Sequence, residues 1–214
     1  RLVSEAQSLA DQGVKELILV AQETTLYGVD LYGKKSLPEL LKRLCRISGL
    51  QWIRIQYCYP EEITDELIET IKTEEKVCHY LDMPIQHASD TILRRMGRRT
   101  SREQLKEIVG KLRSEIPDIA IRTTLISGFP GETEEDFLET MDVVRKVRFD
   151  SAFTFIYSKR TGTPAAAMEE QIPEAVVKDR FDRLLSEVQR ISAEVCGRDA
   201  HTVKDVLVIT SFEG

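Results

Sequence analysis

Five short apolar stretches, each followed by a helical pattern, constrain this chain more than any other feature. They fall at residues 16–21, 52–57, 79–84, 119–126 and 151–157. Leu2, Val3, Ala6, Leu9 and Ala10 recur at helical spacing before the first of them, and Gln12-Gly13 closes that helix. Helical patterns also cover residues 37–47, 64–71 and 136–147, and a Ser101-x-x-Gln104 capping box starts another that runs to about residue 115. Strands that alternate with helices form parallel βαβ units, so the predicted class is α/β with a parallel sheet. Ligands in such sheets and barrels bind at the carboxyl ends of the strands. The loops after Ala21, Pro84, Ile126 and Tyr157 should therefore share one mouth.

With 214 residues, 42% apolar and 31% charged, the chain can bury one sizeable core. No apolar run approaches the roughly 18 residues of a membrane helix, so no membrane partner is expected. The net charge of −6 argues against nucleic-acid attraction by bulk electrostatics, with one local exception: five arginines lie between Leu93 and Arg102. That run can contact RNA phosphates or the ribosome, or form an ordinary solvated face. Cys45, Cys58, Cys78 and Cys196 are scattered, with no C-x-x-C spacing, so no metal is assigned to any residue. The start, Arg1-Leu-Val-Ser, carries no initiator methionine and no signal-peptide pattern. A cytoplasmic monomer, cut from something longer, is the expectation.

Thr124-Leu-Ile-Ser-Gly-Phe-Pro-Gly-Glu-Thr-Glu-Glu-Asp136 carries the densest local signal. An apolar strand enters a turn in which Pro130 suits position i+1 and Gly131 supplies the positive φ of i+2. Thr133 is the expected N-cap, and Glu134, Glu135 and Asp136 fill the first turn of the next helix. A phosphate-binding loop leaves those N–H groups free for an anion. Here acids occupy the field, so a neutral or cationic ligand is expected.

From Val177, the residues Phe181, Leu184, Val188, Ile191 and Val195 repeat at spacings of four and three, which predicts a helix docked along the domain by a narrow apolar seam. Residues 203–209 read as one strand of a further unit.

The ordered motifs resemble those of the radical S-adenosylmethionine methylthiotransferases. The matching stretches are Leu17-Ile-Leu-Val-Ala-Gln-Glu-Thr-Thr-Leu-Tyr-Gly28, Tyr57-Cys-Tyr-Pro-Glu-Glu-Ile-Thr-Asp-Glu-Leu67, Pro84-Ile-Gln-His-Ala-Ser-Asp90 with Arg94-Arg-Met-Gly-Arg-Arg99, Gly128-Phe-Pro-Gly-Glu-Thr-Glu-Glu-Asp-Phe137, and Tyr157-Ser-x-x-x-Gly-Thr-Pro-Ala165. They cover roughly residues 1 to 197. The resemblance implies a partial (β/α)6 barrel over residues 1–170, a docking helix over 171–198, and the start of a TRAM-like β-barrel over 199–214. It also implies a C-x-x-x-C-x-x-C loop after the first barrel strand and an N-terminal domain, neither of which is in this sequence. An unpaired sheet edge and an inactive fragment are then expected.

The cofactors implied are S-adenosylmethionine and two [4Fe–4S] clusters with ligands outside this chain. The reaction implied inserts a methylthio group into a C–H bond. The first two thirds resemble the enzyme that modifies an aspartate of ribosomal protein S-12. Residues 147–157 are closer to the tRNA enzyme that acts on isopentenyladenosine beside the anticodon. Partners implied are ribosomal protein S-12 or the ribosome, alternatively tRNA, and an electron donor such as flavodoxin or ferredoxin. A non-catalytic module that binds a ligand or the ribosome is the reading from another class. A hydrolase or aldolase would need paired acids, a metal set or a lysine at strand ends, and no such set is present.

No side chain is assigned a catalytic acid or base role. For the cofactor, Gln22 and Glu23 are expected to accept from its amino group. Gln86 can hydrogen-bond ligand or cluster sulfur, and His87 reads more simply as a hydrogen-bonded loop residue. Arg122, within a strand, is expected either to hold the methionyl carboxylate or to pair with a helix. Thr124, Gly128, Pro130 and Gly131 would line the adenosine end, the glycines by close backbone approach. Glu132 accepts from a ribose hydroxyl or fixes the turn, and Tyr157 stacks on adenine or packs.

Overall fold

The computed structural model describes residues 1–208. Five parallel strands appear where alternation places them: β1 (Glu16–Leu19), β2 (Trp52–Ile55), β3 (Tyr80–Asp82), β4 (Ala120–Ser127) and β5 (Ser151–Ile156). β1 pairs with β2, and β3, β4 and β5 form a second ladder in sequence order. A parallel bridge between Ile53 and Val77, with Ile53 donating to Lys76 O, joins the two ladders. The sheet is open rather than a closed barrel, and β1 pairs with no other described strand.

Helices α1 (Leu2–Asp11), α2 (Val29–Tyr32), α3 (Leu37–Cys45), α4 (Asp65–Thr73), α5 (Asp90–Arg95), α6 (Arg102–Glu115), α7 (Glu134–Val147) and α8 (Glu174–Gly197) complete the described chain. Two of them start as expected. Ser101 and Gln104 cap α6 reciprocally, and Thr133 and Asp136 do the same for α7. Each box satisfies two otherwise orphaned backbone donors.

Alternation within the strands decides which face is covered. Ile53, Ile55, Leu81, Ile121 and Leu125 are fully buried in one core with Leu41 and Leu44 of α3, Leu67 and Ile71 of α4, Leu112 of α6 and Phe137 and Val144 of α7. The intervening residues, Arg54, Tyr80, Arg122 and Phe153, share the opposite face. There the Arg54 guanidinium lies 4.7 Å over Tyr80, and that of Arg122 lies 5.0 Å over Phe153. Ile18, Val20, Phe153 and Phe155 leave apolar surface exposed on that face.

α8 packs against β5 and α7 through Val177, Leu184, Val188 and Ile191, as its seam predicts. Arg180, inside the seam, is buried as deeply as its apolar neighbours. The strand expected over 203–209 does not form across residues 203–208, and Ile209 lies outside the described residues.

Candidate functional site

The strand ends meet as the parallel order requires. A cleft of about 750 Å³ opens beside the carboxyl ends of β3, β4 and β5. Thr124 and Ile126 come from β4, Phe155 and Ile156 from β5, and Gln86 and Tyr157 from the segments just past β3 and β5. Phe129 adds an apolar wall. It meets Tyr157 edge to face, with ring centroids 5.3 Å apart. The rim is built by Met96 to Arg98 after α5 and by the loop from Ser158 to Ala165. No carboxylate, lysine, cysteine or histidine is among the residues that line the cleft.

Backbone strain marks the same edge. Tyr57 (φ 58°) and Gln86 (φ 70°) adopt left-handed conformations in the segments that follow β2 and β3. Gln86 is held there from both sides, donating its N–H to Thr124 O at 2.8 Å and accepting from Ile126 N at 2.8 Å. Such conformations persist only where surroundings over-determine them, and they cluster at ligand sites.

Of the expected site residues, Gln86, Thr124 and Tyr157 line this cleft; Gln22, Glu23, Arg122, Gly128, Pro130, Gly131 and Glu132 do not. Gln22 is exposed. Glu23 is an N-cap: its carboxylate accepts from Thr25 N at 3.0 Å and from Tyr59 N at 2.8 Å, tying the loop after β1 to the loop after β2. Burial raises its pKa above the ordinary glutamate value, against the lowering effect of those hydrogen bonds. Arg122 pairs with the neighbouring strand rather than a helix, its Nε donating to Asp82 Oδ1 at 2.9 Å. That bond raises the guanidinium's pKa further.

The expected turn forms, with Glu132 N donating to Phe129 O at 2.9 Å and Gly131 at φ 79°. Close approach at its glycines is made by the protein itself. A Cβ on Gly128 would stand 2.5 Å from Val177 Cγ1 of α8, and one on Gly131 would meet the Arg95 guanidinium.

The Glu132 carboxylate has no exposed surface, which removes the expected ribose contact. Its Oε2 accepts from Gly128 N at 2.9 Å, and its Oε1 from Arg180 Nη1 at 3.0 Å. His87 stands 3.3 Å from Oε2 through Nε2, both side chains being essentially inaccessible. Since His87 Nδ1 accepts from Ser89 N at 3.0 Å, the ring proton sits on Nε2 and points at Glu132. Arg180 also donates its Nη1 to Glu132 O, and its Nε to Glu134 Oε2 at 3.2 Å. A buried network thus locks the loops after β3 and β4 to α8.

Three of the five arginines between Leu93 and Arg102 are spent within the protein. Arg95 pairs with Glu170 and Arg102 with Glu139, and Arg94 donates to Asp90 O. The Arg98 guanidinium lies 4.5 Å over the Tyr59 ring. Sequence reasoning missed Arg98 and Arg160 as cleft residues. Arg160 lay in plain view within the motif from Tyr157 to Ala165, at a position left unassigned.

Comparison with known proteins places this geometry. The profile of the radical SAM superfamily matches residues 1–144. Ribosomal protein uS12 methylthiotransferase RimO of Lachnoclostridium phytofermentans is 62% identical over 194 residues, covering 91% of this chain and 44% of that protein. RimO of Alkaliphilus oremlandii is 47% identical over 213 residues, covering 100% of this chain and 49% of the relative. The chain thus spans about half the length of these curated relatives. Among solved structures, the Escherichia coli coproporphyrinogen III oxidase HemN, a radical SAM enzyme, superposes with a TM-score of 0.62 at 18% identity, over 86% of this chain and 46% of that one. This last likeness concerns the fold alone.

Proposed function

Because the chain belongs to the radical SAM superfamily, we propose that it forms the S-adenosylmethionine-binding core of a methylthiotransferase acting on ribosomal protein uS12 in the cytoplasm. The observation that carries this reading is the identity of 47–62%, sustained over 91–100% of the chain, to proteins of that name. Among the described residues no helix is long and apolar enough to cross a membrane. Residues 1–170 are assigned to the core and 171–198 to its docking helix, with 199–214 leading toward a TRAM-like unit.

The residues present fit S-adenosylmethionine. The cleft offers apolar walls from Ile126, Phe129 and Phe155, together with the Gln86 amide and the Thr124 hydroxyl for polar ends. Tyr157, which lines it, has a buried OH without a hydrogen-bond partner, leaving polar capacity unspent at this edge. The chemistry supplied by S-adenosylmethionine, when bound, is hydrogen-atom abstraction from a C–H bond and donation of a methyl group. The chain's own part is to hold the ligand, to orient it and to exclude water. A cleft without carboxylate, histidine, lysine or cysteine suits a step in which no side chain moves a proton.

The iron–sulfur clusters do not fit the residues of this chain. Its cysteines lack C-x-x-x-C-x-x-C spacing, and among the described residues no three metal-ligating side chains converge. Cys58 is wholly buried, and burial pushes its thiol well above the ordinary range, the opposite of what a thiolate ligand needs. The ligands are assigned to the part of the relatives that this chain does not span, and no step is derived through them. Gln22 remains assigned to the cofactor's amino group, while Glu23, Arg122, Gly128, Pro130, Gly131 and Glu132 are assigned to holding the mouth in shape.

The test is the complete protein, reconstituted with iron and sulfide under reducing conditions. Deoxyadenosine should form, and uS12 in added ribosomes should gain the mass of one methylthio group. Absence of deoxyadenosine from a folded, cluster-loaded preparation would sink the reading, and methylthiolation of tRNA with uS12 unchanged would reassign the substrate.

A further inference from the structure

Three arginines and no acidic side chain line the cleft, in a chain whose formal charge is −6. Arg95 is partly neutralised by Glu170, a pair whose glutamate is 63% exposed. Arg98 and Arg160 are different. Stacking on Tyr59 fixes the plane of the Arg98 guanidinium and leaves its edge, where the N–H donors lie, unused. Tyr59 is itself pinned, since its N–H is held by Glu23. Arg160 projects from the exposed loop after β5. Among the described residues no ion pair or side-chain hydrogen bond occupies either guanidinium.

Two free forks facing one apolar cleft will hold an anionic group, and planar guanidinium matches a carboxylate. Nucleic acid would need a continuous track of free cations along its backbone. The cleft does not supply one: of the three cations that line it Arg95 is paired with Glu170, and the exposed Arg99 and Lys159 lie outside its lining. The geometry points to Arg98 and Arg160 as specificity-determining residues: they receive the side-chain carboxylate of the acidic residue of the protein substrate at the mouth of the cleft. This rests on the uS12 reading and assigns residues to its selectivity.

The experiment compares two fluorescent uS12 peptides, one with the target aspartate and one with asparagine, binding to the complete reconstituted protein with S-adenosylmethionine present. Fluorescence anisotropy should show the aspartate peptide binding at least about tenfold tighter, the scale of a charge-assisted hydrogen bond. Arg160→Gln and Arg98→Gln should each reduce that preference to about twofold or less. Arg160→Lys, which keeps the charge but not the fork, should fall between. A wild-type protein with no aspartate preference, or a preference that survives both glutamine variants, overturns the inference. So does a loss of S-adenosylmethionine affinity with the peptide preference intact, which would assign the arginines to the cofactor's own carboxylate. Displacement of the peptide by a tRNA anticodon hairpin, lost in the variants, overturns it in favour of phosphate. Deoxyadenosine release and uS12 mass in the same preparations keep the two readings apart: modification of uS12 with an unchanged preference in the variants refutes the arginine role alone, and no modification by any preparation refutes the function.

Discussion

Gly128→Ala tests the packing of α8 onto the strand-end loops in quantitative terms. Gly128 sits at φ 81°, where an L-residue costs roughly 1–2 kcal/mol. Its new Cβ would also stand 2.5 Å from Val177 Cγ1 and 2.7 Å from Cγ2, inside van der Waals contact. Val177 is 7% exposed in the first turn of α8, so overpacking adds about 1–3 kcal/mol. The total is roughly 2–5 kcal/mol. Gly13→Ala is the control, because φ is 95° there and nothing lies within 4 Å of the added carbon. It should lose only the backbone share, roughly 1–2 kcal/mol. Val177→Ala alone should cost about 1–2 kcal/mol through lost burial, yet little or nothing on the Gly128→Ala background. Urea unfolding of the two single variants at Gly128 and Val177 and of the double variant yields a coupling energy, expected at about 1–3 kcal/mol. If the two changes add within about 0.5 kcal/mol, or if Gly128→Ala costs no more than Gly13→Ala, α8 does not press on this turn and the close-approach reasoning is wrong.

Arg180→Met should be more damaging than its helical position implies, at about 3–5 kcal/mol by urea unfolding, because it strands the inaccessible Glu132 carboxylate; Arg180→Lys should recover part of the loss. Asp136 reports on pH. Burial raises its carboxyl, but the hydrogen bonds from Ser89 and Thr133 outweigh burial and hold it below the ordinary 3.8. A folded value below the unfolded one means stability that is complete above about pH 4 and drains away as pH falls further. Asp136→Asn should therefore flatten the acid limb of the stability curve, and an unchanged limb would contradict the assignment. Alkylation at pH 8, mapped by mass spectrometry, should label exposed Cys196 first and Cys58 last. Cys45, which burial pushes up to about 11, should react slowly as well. Rapid labelling of Cys58 in the folded chain would refute its burial.

The elements were legible where one local rule sufficed. Alternation located all five strands, and the capping residues Ser101 and Thr133 marked two helix starts within a residue. The turn at Phe129 to Glu132 followed from proline and glycine chemistry alone. What stayed hidden was pairing across the chain. Arg180 sits in an apolar seam, where an arginine reads as a solvated interruption. Only the fold brings it to Glu132, 48 positions earlier. Arg122 likewise needed a partner from another strand, and nothing local singled out Asp82. The glycines were read as places where the cofactor approaches the backbone; in the fold Val177 and Arg95 stand there, and a sequence does not say which partner makes such an approach.

The acids at the start of α7 show why this matters for the site. Read along the chain, Glu134, Glu135 and Asp136 give the mouth a negative field that favours a neutral or cationic ligand. In the fold two of the three are already engaged, Glu134 by Arg180 and Arg183 and Asp136 by Thr133 and Ser89, while Glu135 is exposed to solvent, and the neighbouring Glu132 is held by Arg180 and His87. An anion that is paired and desolvated projects little field into a neighbouring cleft, whereas an unpaired guanidinium on a rim does. The charge a ligand meets is therefore set by Arg98 and Arg160, drawn from two loops far apart in sequence, and its sign is opposite to that of the motif beside it. α8 makes this possible, since it carries the arginine that neutralises Glu132, and without that helix the same strand ends would present a different charge to the same ligand.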